Sequence, residues 1–220
     1  MKFFLDTANL NEIEKYSYII DGVTTNPSLL AKEMKSSSQN DLLKKICDTV
    51  KGPVSLEVIS QNCDEMIKEA LELSSIADNV VVKVPMTPDG LKATKKLSEM
   101  CVKTNVTLIF SSNQALLAAK AGATYVSIFV GRLDDIGYLG MNIVKETAKV
   151  LENYNFDSEI ITASIRNPMH VLDAALSGSH VATVPPNVLK LMFNHNLTDV
   201  GLQKFMDDWR SVKNNSNNDL

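Results

Sequence analysis

The chain has 220 residues, of which 45% are hydrophobic and 22% charged, ordinary globular values that permit one domain with a sizeable core. A net charge of −4 supplies no general basic field, which argues against a nucleic-acid partner and against adsorption on an anionic membrane. Nineteen lysines stand against three arginines, so Arg132, Arg166 and Arg210 are each candidates for a role that lysine cannot fill.

The N-terminus, MKFFLDTANLNE, turns polar after five residues, which does not fit a signal peptide, and no apolar run approaches membrane-spanning length. Runs rich in Val, Ile, Thr and aromatics predict strands at KFFLD (2–6), GVTTN (22–26), VSLEV (54–58) and NVVVKV (79–84). Four more follow at NVTLIF (105–110), TYVSIF (124–129), EIITAS (159–164) and HVATVP (180–185). Amphipathic segments lie between them. In CDEMIKEALELSSIA (63–77), the stripe is read as Met66, Ile67, Ala70, Leu71 and Leu73. GLKATKKLSEMCV, SSNQALLAAKAGA and IVKETAKVLENY show the same pattern. Thr87-Pro88-Asp89 and Ser111 are expected to start helices, and Gly122 to stop one.

Eight strands alternating with helices, without a linker, predict a single α/β domain, a (β/α)8 TIM barrel with an extra C-terminal helix, over residues 1–212. A doubly wound open sheet is the structural alternative. VGLQKFMDDWRSV forms the extra helix, whose Phe205, Met206 and Trp209 make an apolar face for its own barrel or for a neighbouring subunit. The polar residues 213–220 are expected to be a disordered tail. Cys47, Cys63 and Cys101 are widely spaced with no CxxC, and read as reduced thiols of a cytoplasmic protein.

Chemistry in such a barrel sits at the carboxyl ends of the strands. Polar groups recur there: Asp6 on the first strand, Thr25 and Asn26 on the second, Glu57 on the third, Lys83 on the fourth. Asn105 and Thr107 share a face of the fifth; Ser127 and Phe129 share one of the sixth, followed by Arg132; Ser164 and Arg166 end the seventh. Each has a bland reading. Asp6 could cap a helix, Asn26-Pro27 could be a turn, Glu57 and Lys83 could be a structural ion pair, and Phe129 could be core. Thr107 could be an ordinary strand residue, and the serines and arginines merely solvated. Seven consecutive strands with polar groups at the same end fit chance poorly. A lysine in a dry, polar barrel mouth suggests an amine nucleophile, because desolvation disfavours an ammonium. Such an amine condenses with a carbonyl to a Schiff base, an electron sink that lets a neighbouring C–C bond break or form. A carboxylate must then move protons. This chemistry needs no metal or cofactor, and His170, His180 and His195 are too widely spaced to form a ligand cluster. Arg132 and Arg166 suit bidentate phosphate binding.

DGVTTNPSLL (21–30) and VVVKVPMTPDGLKA (80–93) closely resemble the two signature segments of the transaldolase family. NVTLIFSSNQA (105–115), SIFVGRLDD (127–135) and TASIRNP (162–168) resemble its fifth, sixth and seventh strand ends. The resemblance runs from Asp6 to Trp209, and the length and the KFMDDW helix are similar to the short subfamily, which includes fructose-6-phosphate aldolases. It implies that Lys83 forms the Schiff base and that Asp6 moves the proton of the substrate hydroxyl. Glu57, with a water held by Thr107, would shuttle protons. Asn26, Asn105 and Ser127 would hold the dihydroxyacetone unit; Arg132, Ser164 and Arg166 would hold the sugar phosphate. The implied reaction moves that unit from sedoheptulose 7-phosphate to glyceraldehyde 3-phosphate, giving erythrose 4-phosphate and fructose 6-phosphate, a step of the pentose phosphate pathway. A homo-oligomer, commonly of ten subunits with the terminal helix reaching a neighbour, is implied as well. Aldolase members carry Gln, Leu, Ala and Tyr where this chain has Glu57, Asn105, Ser127 and Phe129, so all four positions resemble the transferase. A sugar-phosphate-binding barrel without turnover is a third reading, but it is expected to lack Lys83, Asp6 or Glu57, and none is missing.

Overall fold

The computed structural model describes residues 1–34 and 39–216, and the side chains through 211. Eight parallel strands close into a barrel in sequence order. They are β1 (Lys2–Asp6), β2 (Gly22–Thr24), β3 (Val54–Glu57), β4 (Val80–Pro85), β5 (Thr104–Ile109), β6 (Tyr125–Phe129), β7 (Glu159–Ala163) and β8 (Val181–Val184). All eight predicted strands are present, and closure through the β1–β8 pair excludes the open sheet. The helices that alternate with them are α1 (Leu10–Tyr16), α2 (Pro27–Glu33), α3 (Gln39–Thr49), α4 (Cys63–Ser74), α5 (Pro88–Glu99) and α6 (Ser112–Lys120). They continue as α7 (Val130–Asp134), α8 (Gly140–Asn153), α9 (Pro168–Leu176), α10 (Pro186–Phe193) and α11 (Asn196–Ser216).

The caps form as their residue types dictate. Thr87 accepts the Gly90 N–H and Ser111 the Gln114 N–H, while Gly122, at φ +89°, ends α6 in the left-handed region open to glycine. One stripe reading fails. On α4, Met66, Ala70 and Leu73 are buried, but Leu71 is exposed. At about 100° per residue, Leu71 lies roughly 140° around the helix from Met66, off the face that meets the barrel.

Strand alternation builds two layers. Outward residues such as Leu5, Val23, Leu56, Val82, Val106 and Ile160 are buried under the helices. Inside the barrel, Phe4, Val81, Tyr125, Ile161 and Val181 form an apolar plug near the amino ends of the strands. Phe4 and Tyr125 meet edge to face, 6.0 Å between centroids. Gly22 makes room for Phe4, since a Cβ there would lie 2.7 Å from its ring. Two residues further along the same strands, the interior turns polar, with Asp6, Thr24, Lys83, Ser127 and Thr183.

No helix among the described residues is long and apolar enough to cross a membrane. The terminal helix α11 does not lay its apolar face on its own barrel: Phe205 is 69% exposed and Trp209 63%. α11 runs to Ser216, and residues 217–220 of the expected tail lie outside the described residues.

Candidate active site

Parallel register sets the site. Glu57 pairs with Lys83 across β3 and β4, and Lys83 with Asn105 across β4 and β5, so three polar residues share one level of the barrel. Lys83 is only 5% exposed. Its Nζ lies 3.0 Å from Glu57 Oε2 and donates to the Thr25 carbonyl at 3.1 Å. That carbonyl is aimed by Thr25 itself, whose N–H (3.0 Å) and hydroxyl (2.9 Å) both donate to the Ser55 carbonyl. The expected role of Thr25 as a polar strand end is thus a backbone role.

Asp6 does not cap a helix, because Asn9 caps α1. Instead its Oδ1 accepts the Thr24 hydroxyl at 3.0 Å, and Thr24 in turn hydrogen-bonds Thr183. Protein surrounds the Asp6 carboxyl except at the cavity, and that desolvation pushes its pKa up from the ordinary 3.8. The Lys83 charge and the Thr24 hydroxyl pull it down by less, and the charge of Glu57 adds to the rise.

Asn105 Nδ2 donates to Ser55 Oγ at 3.1 Å, and its Oδ1 accepts the Ser127 hydroxyl at 2.7 Å. Thr107 is fully buried, and its Oγ1 has no hydrogen-bond partner among the described residues. It lies where the register between β5 and β6 shifts, next to Leu108 at φ +61°, a bulge that re-aims this stretch of strand. Asn26 caps α2 by accepting the Leu29 N–H at 3.0 Å, which uses only its amide oxygen.

At the rim, the Arg132 guanidinium lies 5.1 Å from the centroid of the Phe129 ring, which also meets Phe110 edge to face. Arg166 Nη2 donates to Asp135 Oδ2 at 2.9 Å. Ser164 sits between them at φ +60°, uncommon for a residue with a side chain.

One cavity of about 200 Å³ collects most of these groups. Asp6, Asn26, Lys83, Ser127, Phe129, Arg132, Ser164 and Arg166 all line it. Glu57, Asn105 and Thr107 stand behind the wall, Glu57 reaching Lys83 and Asn105 reaching Ser127. The lining also includes Thr24, Ala163, Ile165, Thr183 and Pro185, which sequence reasoning did not select. Thr24 and Thr183 carried a signal, since each is two residues past an interior residue of its strand. His180 and His195 are exposed, and each accepts a backbone N–H at Nδ1; His170 packs near the rim. Among the described residues, no three His, Cys, Asp or Glu side chains converge to hold a metal ion.

The arrangement joins a buried amine, two carboxyl groups beside it, amide and hydroxyl groups, and two guanidinium groups on one rim. The profile of the family described as Transaldolase/Fructose-6-phosphate aldolase matches residues 3–216. The chain belongs to that family. A probable transaldolase of Thermodesulfovibrio yellowstonii is 58% identical over 97% of this chain and all of its own length. Probable transaldolases of Methanococcus vannielii and Bacillus cereus are 56% and 54% identical, over 95% and 97% of this chain and 97% and 99% of their own. The family resemblance of the sequence motifs and the barrel architecture therefore agree.

The raised pKa of Asp6 makes a stability prediction. A carboxyl whose folded pKa is raised stabilises the fold only while protonated, and costs stability as pH rises through the folded value. Asp6→Asn should therefore unfold at higher denaturant than the parent at pH 7, with the advantage shrinking as pH falls from the raised folded value toward the ordinary 3.8 and gone below it. Urea melts across that range would show it; equal midpoints at pH 7 would contradict the burial argument.

Proposed function

We propose that the protein is a transaldolase that carries a dihydroxyacetone unit on Lys83, moving it from sedoheptulose 7-phosphate to glyceraldehyde 3-phosphate. The observation that carries this reading is the buried Lys83 amine with Glu57 at 3.0 Å, on the same cavity as Asp6. Glu57 is within reach to accept a proton from the ammonium, which frees the amine to attack the ketose carbonyl. The carbinolamine must then lose water, with Glu57 as proton carrier. The orphan hydroxyl of Thr107 needs a partner in the buried site, and a water shared with Glu57 would supply one.

In the iminium, the C–C bond beyond the neighbouring carbon breaks when a base takes the proton of the next hydroxyl. Asp6 is the base in this reading, and its raised pKa brings it closer to neutrality, where taking and returning a proton are both accessible. The aldehyde leaves, the enamine remains on Lys83, and the incoming aldehyde forms the new bond as Asp6 gives the proton back. Asn26 and the Ser127–Asn105–Ser55 chain supply groups for the retained hydroxyls. Arg132, Ser164 and Arg166 supply the phosphate site, two guanidinium groups being suited to a dianion.

The aldolase reading has one specific residue against it. Phe129 lines the cavity where aldolase relatives resemble one another in carrying tyrosine, and a phenyl ring has no proton to relay to the enamine. Three unpaired cysteines, Cys47, Cys63 and Cys101, agree with a cytoplasmic setting. We also propose a homo-oligomer built through α11. Apart from Gly201, every residue from Leu191 to Ser211 is exposed, and a helix that buries no face among its described side chains gains its stability from a partner.

Lys83→Met should abolish borohydride-dependent trapping of fructose 6-phosphate on the protein, and persistent labelling would move the nucleophile elsewhere. Glyceraldehyde 3-phosphate release from fructose 6-phosphate should require erythrose 4-phosphate, whereas Phe129→Tyr should release free dihydroxyacetone. Equal release without the acceptor in the parent protein would make it an aldolase. Sedimentation should show a multimer that Phe205→Asp shifts toward the monomer; a monomeric parent chain would refute the role of α11.

A further inference from the structure

We propose that His170 is a positioning residue for the phosphate site, holding the Arg166 loop in register with the short helix that carries Arg132. The proposal rests on the reading of Arg132 and Arg166 as phosphate ligands.

His170 lies in the first turn of α9, three residues past its cap, Asn167. Its imidazole bridges two chain segments. Nδ1 accepts the backbone N–H of Arg166 at 3.3 Å, and Nε2 lies 2.9 Å from Asp134 Oδ2. This pattern requires a lone pair on Nδ1 and a proton on Nε2, so the ring donates to the carboxylate and accepts from the peptide. Asp134 is fixed at its other oxygen, where Oδ1 accepts the Gly140 N–H at 2.9 Å. The His170 side chain is only 14% exposed, while Asp134 is 37% exposed and the bond to Arg166 lies at the surface, so the ring is packed between the two segments although its partners meet solvent.

Two further contacts tie the same segments together. Asp135, next to Asp134, holds the Arg166 guanidinium. Gly131, one residue before Arg132, packs so closely on the β7–α9 connection that a Cβ there would lie 2.0 Å from the Ser164 carbonyl oxygen. Ser164 is itself held at φ +60°, a conformation that persists only where surroundings enforce it. α7 has five residues, too few to be stable alone, so the spacing between its Arg132 and the loop's Arg166 depends on these ties. His170 is the tie that reaches the Arg166 backbone without itself lining the cavity.

Two substitutions divide its bonds. His170→Asn keeps an acceptor near Nδ1 and loses the reach to Asp134. His170→Gln keeps a donor near Nε2 and loses the acceptor for Arg166. Calorimetric titration with inorganic phosphate reads the site without turnover. Parent protein should bind phosphate and Arg166→Ala should not. Each His170 variant should bind about five- to tenfold more weakly, the effect of losing one hydrogen bond that holds the loop. KM for glyceraldehyde 3-phosphate should rise by a similar factor, with kcat at saturation and borohydride trapping of unphosphorylated dihydroxyacetone within about twofold. Asp134→Asn should behave as His170→Asn does and serves if the histidine variants do not fold. Unchanged phosphate affinity with only a lower melting temperature would overturn the proposal, as would an equal loss in trapping of dihydroxyacetone. Equal phosphate binding by Arg166→Ala and parent would overturn it too. Weakened phosphate binding in variants of a protein that shows no transfer would retain the proposal and refute the transaldolase reading.

Discussion

A single amine inside the barrel constrains the rest of the site. Removing a lysine and a carboxylate from water costs several kcal/mol per ion in principle, and the pair survives only if attraction and hydrogen bonds offset that. Lys83 meets the requirement with Glu57 Oε2 on the neighbouring β3 and the Thr25 carbonyl just past the end of β2. The apolar plug of Phe4, Val81, Tyr125, Ile161 and Val181 beneath it closes the barrel from the amino end, so the amine faces the cavity at the carboxyl end. Position, partner and access follow from strand register and side-chain alternation.

Around that pair the interior polar groups are mostly tied to one another across strands. Asp6 is bonded to Thr24, Thr24 to Thr183, and Asn105 to both Ser55 and Ser127. A satisfied buried network is stiff, because breaking one bond strands a partner in low dielectric. The site can therefore hold reacting groups in place without moving loops. The exception is Thr107, whose hydroxyl has no partner among the described residues and sits beside the β5 bulge.

The barrel was legible because its strands are short β-branched runs and its helices carry apolar stripes, two periods that do not mimic each other. Lys83, Asp6 and Glu57 were legible because a charge in an apolar strand needs a reason. Thr24 and Thr183 were passed over because threonine is an ordinary strand residue, although alternation from Gly22 and Val181 puts both on the inward face. Leu71 was misplaced because a leucine one position off the stripe looks the same in composition; helical phase excludes it. α7 escaped because five residues cannot display a 3.6-residue period, and with it went the contacts of Asp134, Asp135 and His170. Those contacts join residues from different βα loops, and no local pattern in the chain encodes them.

The distinction between a transferase and an aldolase comes down to the fate of one electron-rich carbon. Under the proposed function, an enamine on Lys83 would be lost when a proton reached that carbon before an aldehyde did. Ring edges without acidic protons suit its protection, and Phe129 presents such a ring on the cavity wall, backed by Phe110 and covered by the Arg132 guanidinium. The same stacking gives Arg132 a seat with no ion pair among the described residues. A tyrosine at 129 would place a hydroxyl beside that guanidinium and offer water a route inward. In the proposed transferase, acceptor dependence and phosphate recognition would be coupled through this one side chain, so a change at 129 should alter both the lifetime of the intermediate and the seat of the arginine.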